Sequence, residues 1–215
     1  MTKISLPLKF LSMLLWLASV APAWAGVYDE ILIAARDNRT EQVIDLVHRG
    51  MDPNTSDPSG MTLLMFAANN GNMELLDFLL RNRANTMKYN RYGDTALALA
   101  ALRGHAPIVR RLIEAGADLS GPGWAPLQYA AFAGHADVVR LLLAKKPDLD
   151  KRAPNRQTAL MLAARNGHQE VVKLLIEADA DMDLTDADGQ SAMNLARKSG
   201  NTEIADYLKR QGAVE

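Results

Sequence analysis

The chain predicts an all-α solenoid: about six helix-turn-helix units with hairpin-like loops, stacked in a row and capped at both ends. Three observations lead there. A turn glycine or its stand-in recurs at Asn38, Gly71, Gly104, Gly134, Gly167 and Gly200, in steps of 33, 33, 30, 33 and 33 residues. The helix-opening positions Thr62, Thr95, Ala125, Thr158 and Ser191 keep the same steps. Small pairs follow each of them: Ala67-Ala68, Ala100-Ala101, Ala130-Ala131, Ala163-Ala164 and the altered Ala196-Arg197. A fixed period of this size marks an array whose units bury their apolar sides on one another.

In chain order, the first 25 residues form their own segment. Lys3 and Lys9 precede an apolar run from Phe10 to Ala21, and Ala23-Trp24-Ala25 closes it with small residues where a signal peptidase reads. This is the pattern of a cleavable signal peptide, too short to span a bilayer. Cleavage after Ala25 is expected, leaving 26–215 as one repeat domain, exported to the periplasm or secreted.

Unit one (27–55) carries Ile31, Leu32, Ala34 and Ala35 on one helix and Val43, Ile44, Leu46 and Val47 on the next. Its turn, Asp37-Asn38-Arg39, lacks glycine, as suits a water-facing cap. Unit two (56–86) opens with the turn signal Asp57-Pro58-Ser59-Gly60. Unit three (87–119) places Pro107 near the start of its second helix, where amide groups lack helical partners anyway. Unit four (120–149) is three residues short, and its loop Gly121-Pro122-Gly123-Trp124 predicts a truncated finger.

Unit five (150–183) shows the pattern most fully, in TALMLAARNGHQEVVKLLIEADADMD from Thr158 to Asp183. Leu160, Ala163 and Ala164 fall on one helical face; Val171, Val172, Leu174 and Leu175 form another beneath Glu170, Lys173 and Glu177. Gly167 lies between, where a left-handed turn residue reverses the chain. Both helices are too short to stand alone in water. Unit six (184–215) exchanges apolar positions for Asn194, Arg197, Lys198, Asp206 and Lys209, which reads as the second cap with a frayed tail after Gln211.

These residues resemble the ankyrin repeat: a 33-residue unit with G-x-T-x-L, an Ala-Ala pair, N-G-H, E-V-V-x-L-L and G-A-D, seen in Arg103–Leu119 and Arg165–Asp181. The resemblance runs from about Val27 to Glu215. It departs from the family's T-P-L-H: the proline survives only at Pro126, and the histidine position holds Met65, Ala98, Gln128, Met161 and Asn194. Apolar packing is therefore expected to carry more of the stacking.

The 24 basic and 25 acidic residues become 22 against 25 once Lys3 and Lys9 are removed, a balance unlike that of a nucleic-acid binder. Cysteine is absent, which excludes disulfides, thiol chemistry and cysteine metal sites. Nothing after Val27 is apolar for long enough to cross a membrane. His105, His135 and His168 follow turn glycines, one per unit, so adjacent rings stand roughly 8–10 Å apart. That is too far for a shared ion. They are expected to bond turn backbone. Asp179-Asp181-Asp183 and Asp186-Asp188 lack the glycine and closing glutamate of a calcium loop. No catalytic constellation, metal site or cofactor is expected.

The family resemblance implies a concave wall built from the loop fingers and the exposed faces of the first helices. Transferred to this chain, it presents Ser59, Met61, Asn69 and Asn70, then Arg91, Tyr92, Asp94, Leu102 and Arg103. Trp124, Phe132 and Ala133 follow, then Asn155, Gln157, Arg165 and Asn166, and last Asp188, Gln190 and Lys198. Its middle gathers Tyr92, Leu102, Trp124 and Phe132 among Arg91, Arg103, Arg156 and Arg165, the residue types of binding hot spots. The expectation is a monomeric, non-enzymatic module that grips another protein there, with no nucleic acid and no membrane insertion. Two alternatives stand beside it: a small-molecule, metal or haem site near His135, or an accessory role beside an exported oxidative-stress enzyme. Trp124 and Phe132 also have a plainer reading, as filler behind the shortened finger.

Overall fold

The computed structural model describes residues 26–213; the segment 1–25, read above as a signal peptide, lies outside them. Twelve helices and no strands make up the described residues. A first helix, α1, covers 26–36. Then come α2 (Thr40–His48), α3 (Leu63–Asn70), α4 (Met73–Arg81), α5 (Ala96–Arg103) and α6 (Ala106–Glu114). The row continues with α7 (Pro126–Ala133), α8 (Ala136–Leu143), α9 (Ala159–Asn166), α10 (Gln169–Glu177), α11 (Ala192–Lys198) and α12 (Thr202–Arg210).

The units stack in sequence. First helices pack α3 on α5 on α7 on α9 on α11, and second helices pack α2 on α4 on α6 on α8 on α10. The small pairs make this approach possible: Ala67, Ala68, Ala100, Ala101, Ala130, Ala131, Ala163, Ala164 and Ala196 are fully buried. A larger side chain at any of them would push two helices apart.

Four of the first helices begin on a hydroxyl. The side chains of Thr62, Thr95, Thr158 and Ser191 accept from the amides of Met65, Ala98, Met161 and Asn194, satisfying a donor that the helix start leaves open. Ala125 has no such acceptor. There the buried Gln128 substitutes: its Oε1 accepts from the Ala125 amide at 2.8 Å, while its Nε2 donates to the carbonyls of Lys151 (3.0 Å) and Gln157 (2.9 Å). The expectation that apolar packing carries more of the stacking meets a local exception here. In unit four a glutamine makes the polar bridge to the next turn.

The turns between paired helices are left-handed, with φ +61° at Asn38 and +81° at Gly167. A second constraint acts on them. A Cβ at Gly71, Gly104 or Gly134 would lie 2.9, 2.7 or 2.5 Å from the ring of His105, His135 or His168 in the following unit. Each ring nitrogen Nε2 faces a carbonyl of the previous unit, at Asn69 (3.2 Å), Leu102 (3.1 Å) and Phe132 (3.0 Å). Asn201 does the same with its amide, donating to Ala164 (3.0 Å) and Arg165 (2.8 Å). The histidines do bond turn backbone, across the unit boundary.

The tail after Gln211 is more ordered than expected as far as residue 213. Ala213 is buried, and its amide donates to the Leu208 carbonyl at 3.1 Å, closing α12 over the core.

Candidate partner-binding face

The fingers share one turn. An amide donates to the carbonyl four residues on in Asp57→Met61, Asn90→Asp94, Ala153→Gln157 and Asp186→Gln190, each at 3.0 Å. Short antiparallel bridges close three of them, at Ser56–Thr62, Tyr89–Thr95 and Thr185–Ser191. Asp57, Asn90 and Asp186 lock their turns by accepting from two amides of their own finger. Burial pushes the carboxyls of Asp57 and Asp186 up, but these hydrogen bonds outweigh it and hold both below the ordinary 3.8.

Neighbouring fingers pair in one register where they can. The Arg91 amide donates to the Ser59 carbonyl (2.9 Å), and the Ala187 amide to the Asn155 carbonyl (3.1 Å). Unit four breaks this register. Gly123 donates instead to Gly93 (3.2 Å), in an approach so close that a Cβ on Gly93 would sit 2.6 Å from the Gly123 nitrogen. The short loop is held from below. Hydrogen bonds from the Ser120 amide and hydroxyl keep Asp118 below its ordinary value against partial burial, and the Lys151 ammonium donates to the Ser120 and Gly121 carbonyls.

Behind the short finger lies an aromatic trio. Trp124 is half-buried, tilted on Tyr129 (centroids 5.2 Å apart, 41°) and edge-on to Phe132 (5.7 Å, 76°), while Phe132 stays 37% exposed. Tyr129 was missed in the sequence. Its hydroxyl donates to buried Asp94 at 2.6 Å, and Asp94 also accepts from Asn90. Burial and the Asp94 carboxylate push the Tyr129 phenol well above its ordinary range, so it stays a neutral donor. The available signal was a hydroxyl in a register otherwise filled by Ile33, Phe66, Leu99, Leu162 and Leu195.

The remaining candidates spread along the face. Arg91 lies over the Tyr92 ring (4.9 Å) and donates to its hydroxyl (2.7 Å), and Tyr92 is 66% exposed. Leu102 is half-buried between the Asn69 and Phe132 positions. Exposed Arg103 is braced by Asn69 at 3.0 Å; half-buried Arg165 donates to Gln157 at 3.2 Å. Arg156 is exposed at the tip of the fifth finger. The structure thus joins Trp124 to Phe132 and Arg91 to Tyr92, and sets Arg103, Arg156 and Arg165 in the units on either side.

Other positions of the expected wall do different work. Asn70 donates to the Ala35 and Arg36 carbonyls and Asn166 to the Phe132 carbonyl, tying each unit to the one before it. Asp94 and Gln157 are buried and fully engaged. His135, the residue singled out for a ligand, has its Nε2 against the Leu102 carbonyl. Among the described residues no helix is long and apolar enough to cross a membrane.

A family model for ankyrin repeats in three copies matches residues 31–122, 87–153 and 127–214. The chain belongs to the ankyrin-repeat family. Similar stretches occur in the mouse B-cell lymphoma 3 protein homolog (34% identity over 87 residues, 40% of this chain and 19% of that protein). They occur also in the potassium channel AKT1 of Oryza sativa subsp. indica (36% over 76 residues, 35% and 8%). The palmitoyltransferase AKR1 of Lachancea kluyveri is similar over 68 residues at 35%, covering 32% of this chain and 9% of that enzyme. The chain spans less than a fifth of the length of these relatives. Ankyrin repeats generally mediate protein–protein interaction, and the proteins that carry them are typically scaffolds.

Proposed function

We propose that this chain is an exported, non-enzymatic binding module that holds a partner protein on the face formed by its first helices and fingers. The observation that carries the reading is the trio Trp124–Tyr129–Phe132, left partly open by the one shortened finger and flanked by arginines in units three and five. Large aromatic side chains with a polar, water-excluding surround supply most of the affinity in protein interfaces, while the charges bias encounter. The partner presents an apolar knob ringed by acidic or carbonyl groups. Export rests on the leader pattern of residues 1–25 and places the mature chain, from Gly26, in the periplasm or outside the cell as a monomer.

Affinity capture from an extract of the exported fraction tests the reading. The parent should retain a protein that Trp124→Ala and Arg103→Ala both lose, while thermal melting of the variants shifts little. Equal capture by parent and variants would refute it. The mass of the recovered chain tests export: a mature N-terminus at Gly26 supports it, and an intact leader contradicts it.

A further inference from the structure

We infer that the partner lies along the finger row as an extended segment carrying two carboxylates five or six residues apart, with a large apolar side chain between them. This rests on the reading above and names the chemistry of the same face.

The row itself sets the pattern. Tyr92 occupies the register position of Ser59 and Asn155, whose carbonyls accept from the adjacent finger, but here the short finger packs its backbone against that carbonyl, where a Cβ on Gly123 would lie 2.8 Å away, and donates to Gly93 instead. Across the gap, Pro154 stands where Arg91 and Ala187 donate, and proline has no amide hydrogen to offer. The short fourth finger therefore meets finger three by a shifted contact and makes no backbone demand on finger five. Its shortened tip leaves a step in the row over unit four that an extended chain can cross.

An arginine stands on each side of that gap. Arg91 is held in place by the Tyr92 ring and hydroxyl and has no carboxylate partner among the described residues. Arg156 takes φ +61° at the tip position filled by Gly60, Gly93 and Gly189, which have φ +84°, +83° and +74°. Its amide makes the same turn bond, to Ala153 at 2.7 Å, and its guanidinium meets no partner among the described residues. Arg83, Lys146 and Asp179 also have positive φ, but they end helices, where Gly50, Gly116 and Gly212 serve in other units. Arg156 alone among them replaces a finger-tip glycine. An L-residue held in this region is strained, and such strain persists where the side chain serves another purpose.

Fingers three and five are two repeat steps apart, about 16–20 Å at the spacing of packed helices. A single carboxylate cannot reach both arginines, whereas an extended segment advances about 3.3 Å per residue and spans the interval in five or six. Trp124, at the base of the shortened finger, lies midway and meets the apolar residue.

The test pans a phage library of random linear peptides, long enough to cross three fingers, on the chain 26–215. Enriched peptides should carry two acids five or six residues apart around a large apolar residue. Their binding should weaken about two- to fivefold in Arg91→Gln and in Arg156→Gly, and fall at least about thirtyfold in Trp124→Ala. Arg156→Gly should melt no lower than the parent, since glycine suits that turn. Peptides that need Trp124 but ignore both arginines would overturn this inference and leave the partner-protein reading standing. Peptides indifferent to Trp124 as well, or no enrichment at all, would sink both.

Discussion

The two edges of each unit follow different rules. On the turn edge the same tie repeats: a His or Asn after one turn reaches a carbonyl before the previous one, at His105, His135, His168 and Asn201. On the finger edge the backbone pairing keeps one register between fingers two and three and between five and six, and shifts at four, where Gly123 donates to Gly93. The regular edge carries the stacking. The irregular edge carries Trp124 and Tyr129 of the aromatic trio, Arg91 and Arg156, and the short finger of unit four. An array can lose register on one edge because the other, with the alanine pairs between, still holds the units together.

The sharpest way to break this contrast acts on the regular edge. Gly134→Val asks for a side chain at φ +79° where even a Cβ would lie 2.5 Å from His168. It should cost about 2–5 kcal/mol and lower the denaturant midpoint by the largest margin of any change considered. Ala164→Leu overpacks the contact between first helices and should cost about 1–3 kcal/mol, read in the same unfolding experiment. Gln128→Leu strands the Ala125 amide and the Lys151 carbonyl, while Gln157 keeps its bond from the Ala153 amide, and should cost about 1–3 kcal/mol. If Gln128→Leu unfolds no earlier than the parent, the polar bridge in unit four has been overvalued.

Acid probes the short finger. Asp118 has a folded value below its ordinary 3.8, so its stabilisation is present above that pH and is lost as pH falls through the lower folded value. The gap in midpoint between parent and Asp118→Asn should therefore close as pH drops from about 6 to about 3. A gap that stays constant would place the effect outside the carboxylate. The smallest effect on folding belongs to the irregular edge. Trp124→Ala forfeits ring contacts with Tyr129 and Phe132 from a half-exposed site that solvent can refill, and melting should shift by only a few degrees.

Much of the fold was legible because repetition multiplies weak signals. Gly167 alone says little, but a glycine or asparagine at six equivalent places fixes the period, the helix pairs and the turns between them. What stayed hidden needs two units at once. His135 reads locally as a turn residue; only stacking reveals that its ring covers Gly104 and reaches Leu102. Asn70 and Asn166 looked like surface groups and proved to be ties, because an asparagine at a helix end can reach either water or the neighbouring unit. Trp124 and Phe132 were visible as an aromatic pair, whereas Tyr129, the ring that supports Trp124 and bonds Asp94, sat unnoticed in an apolar register. Arg156 was visible as a charge but not as a residue in a glycine's place, since the sequence alone does not show which turn the fifth finger adopts.

The most direct measurement restores the fourth finger to full length. Lengthening the Gly121–Gly123 loop by three residues returns unit four to the period of its neighbours while keeping Trp124 and every arginine. The account predicts an unchanged or higher melting temperature together with loss of whatever partner the parent captures. Undiminished capture by the lengthened chain would contradict the claim that the gap is where recognition happens.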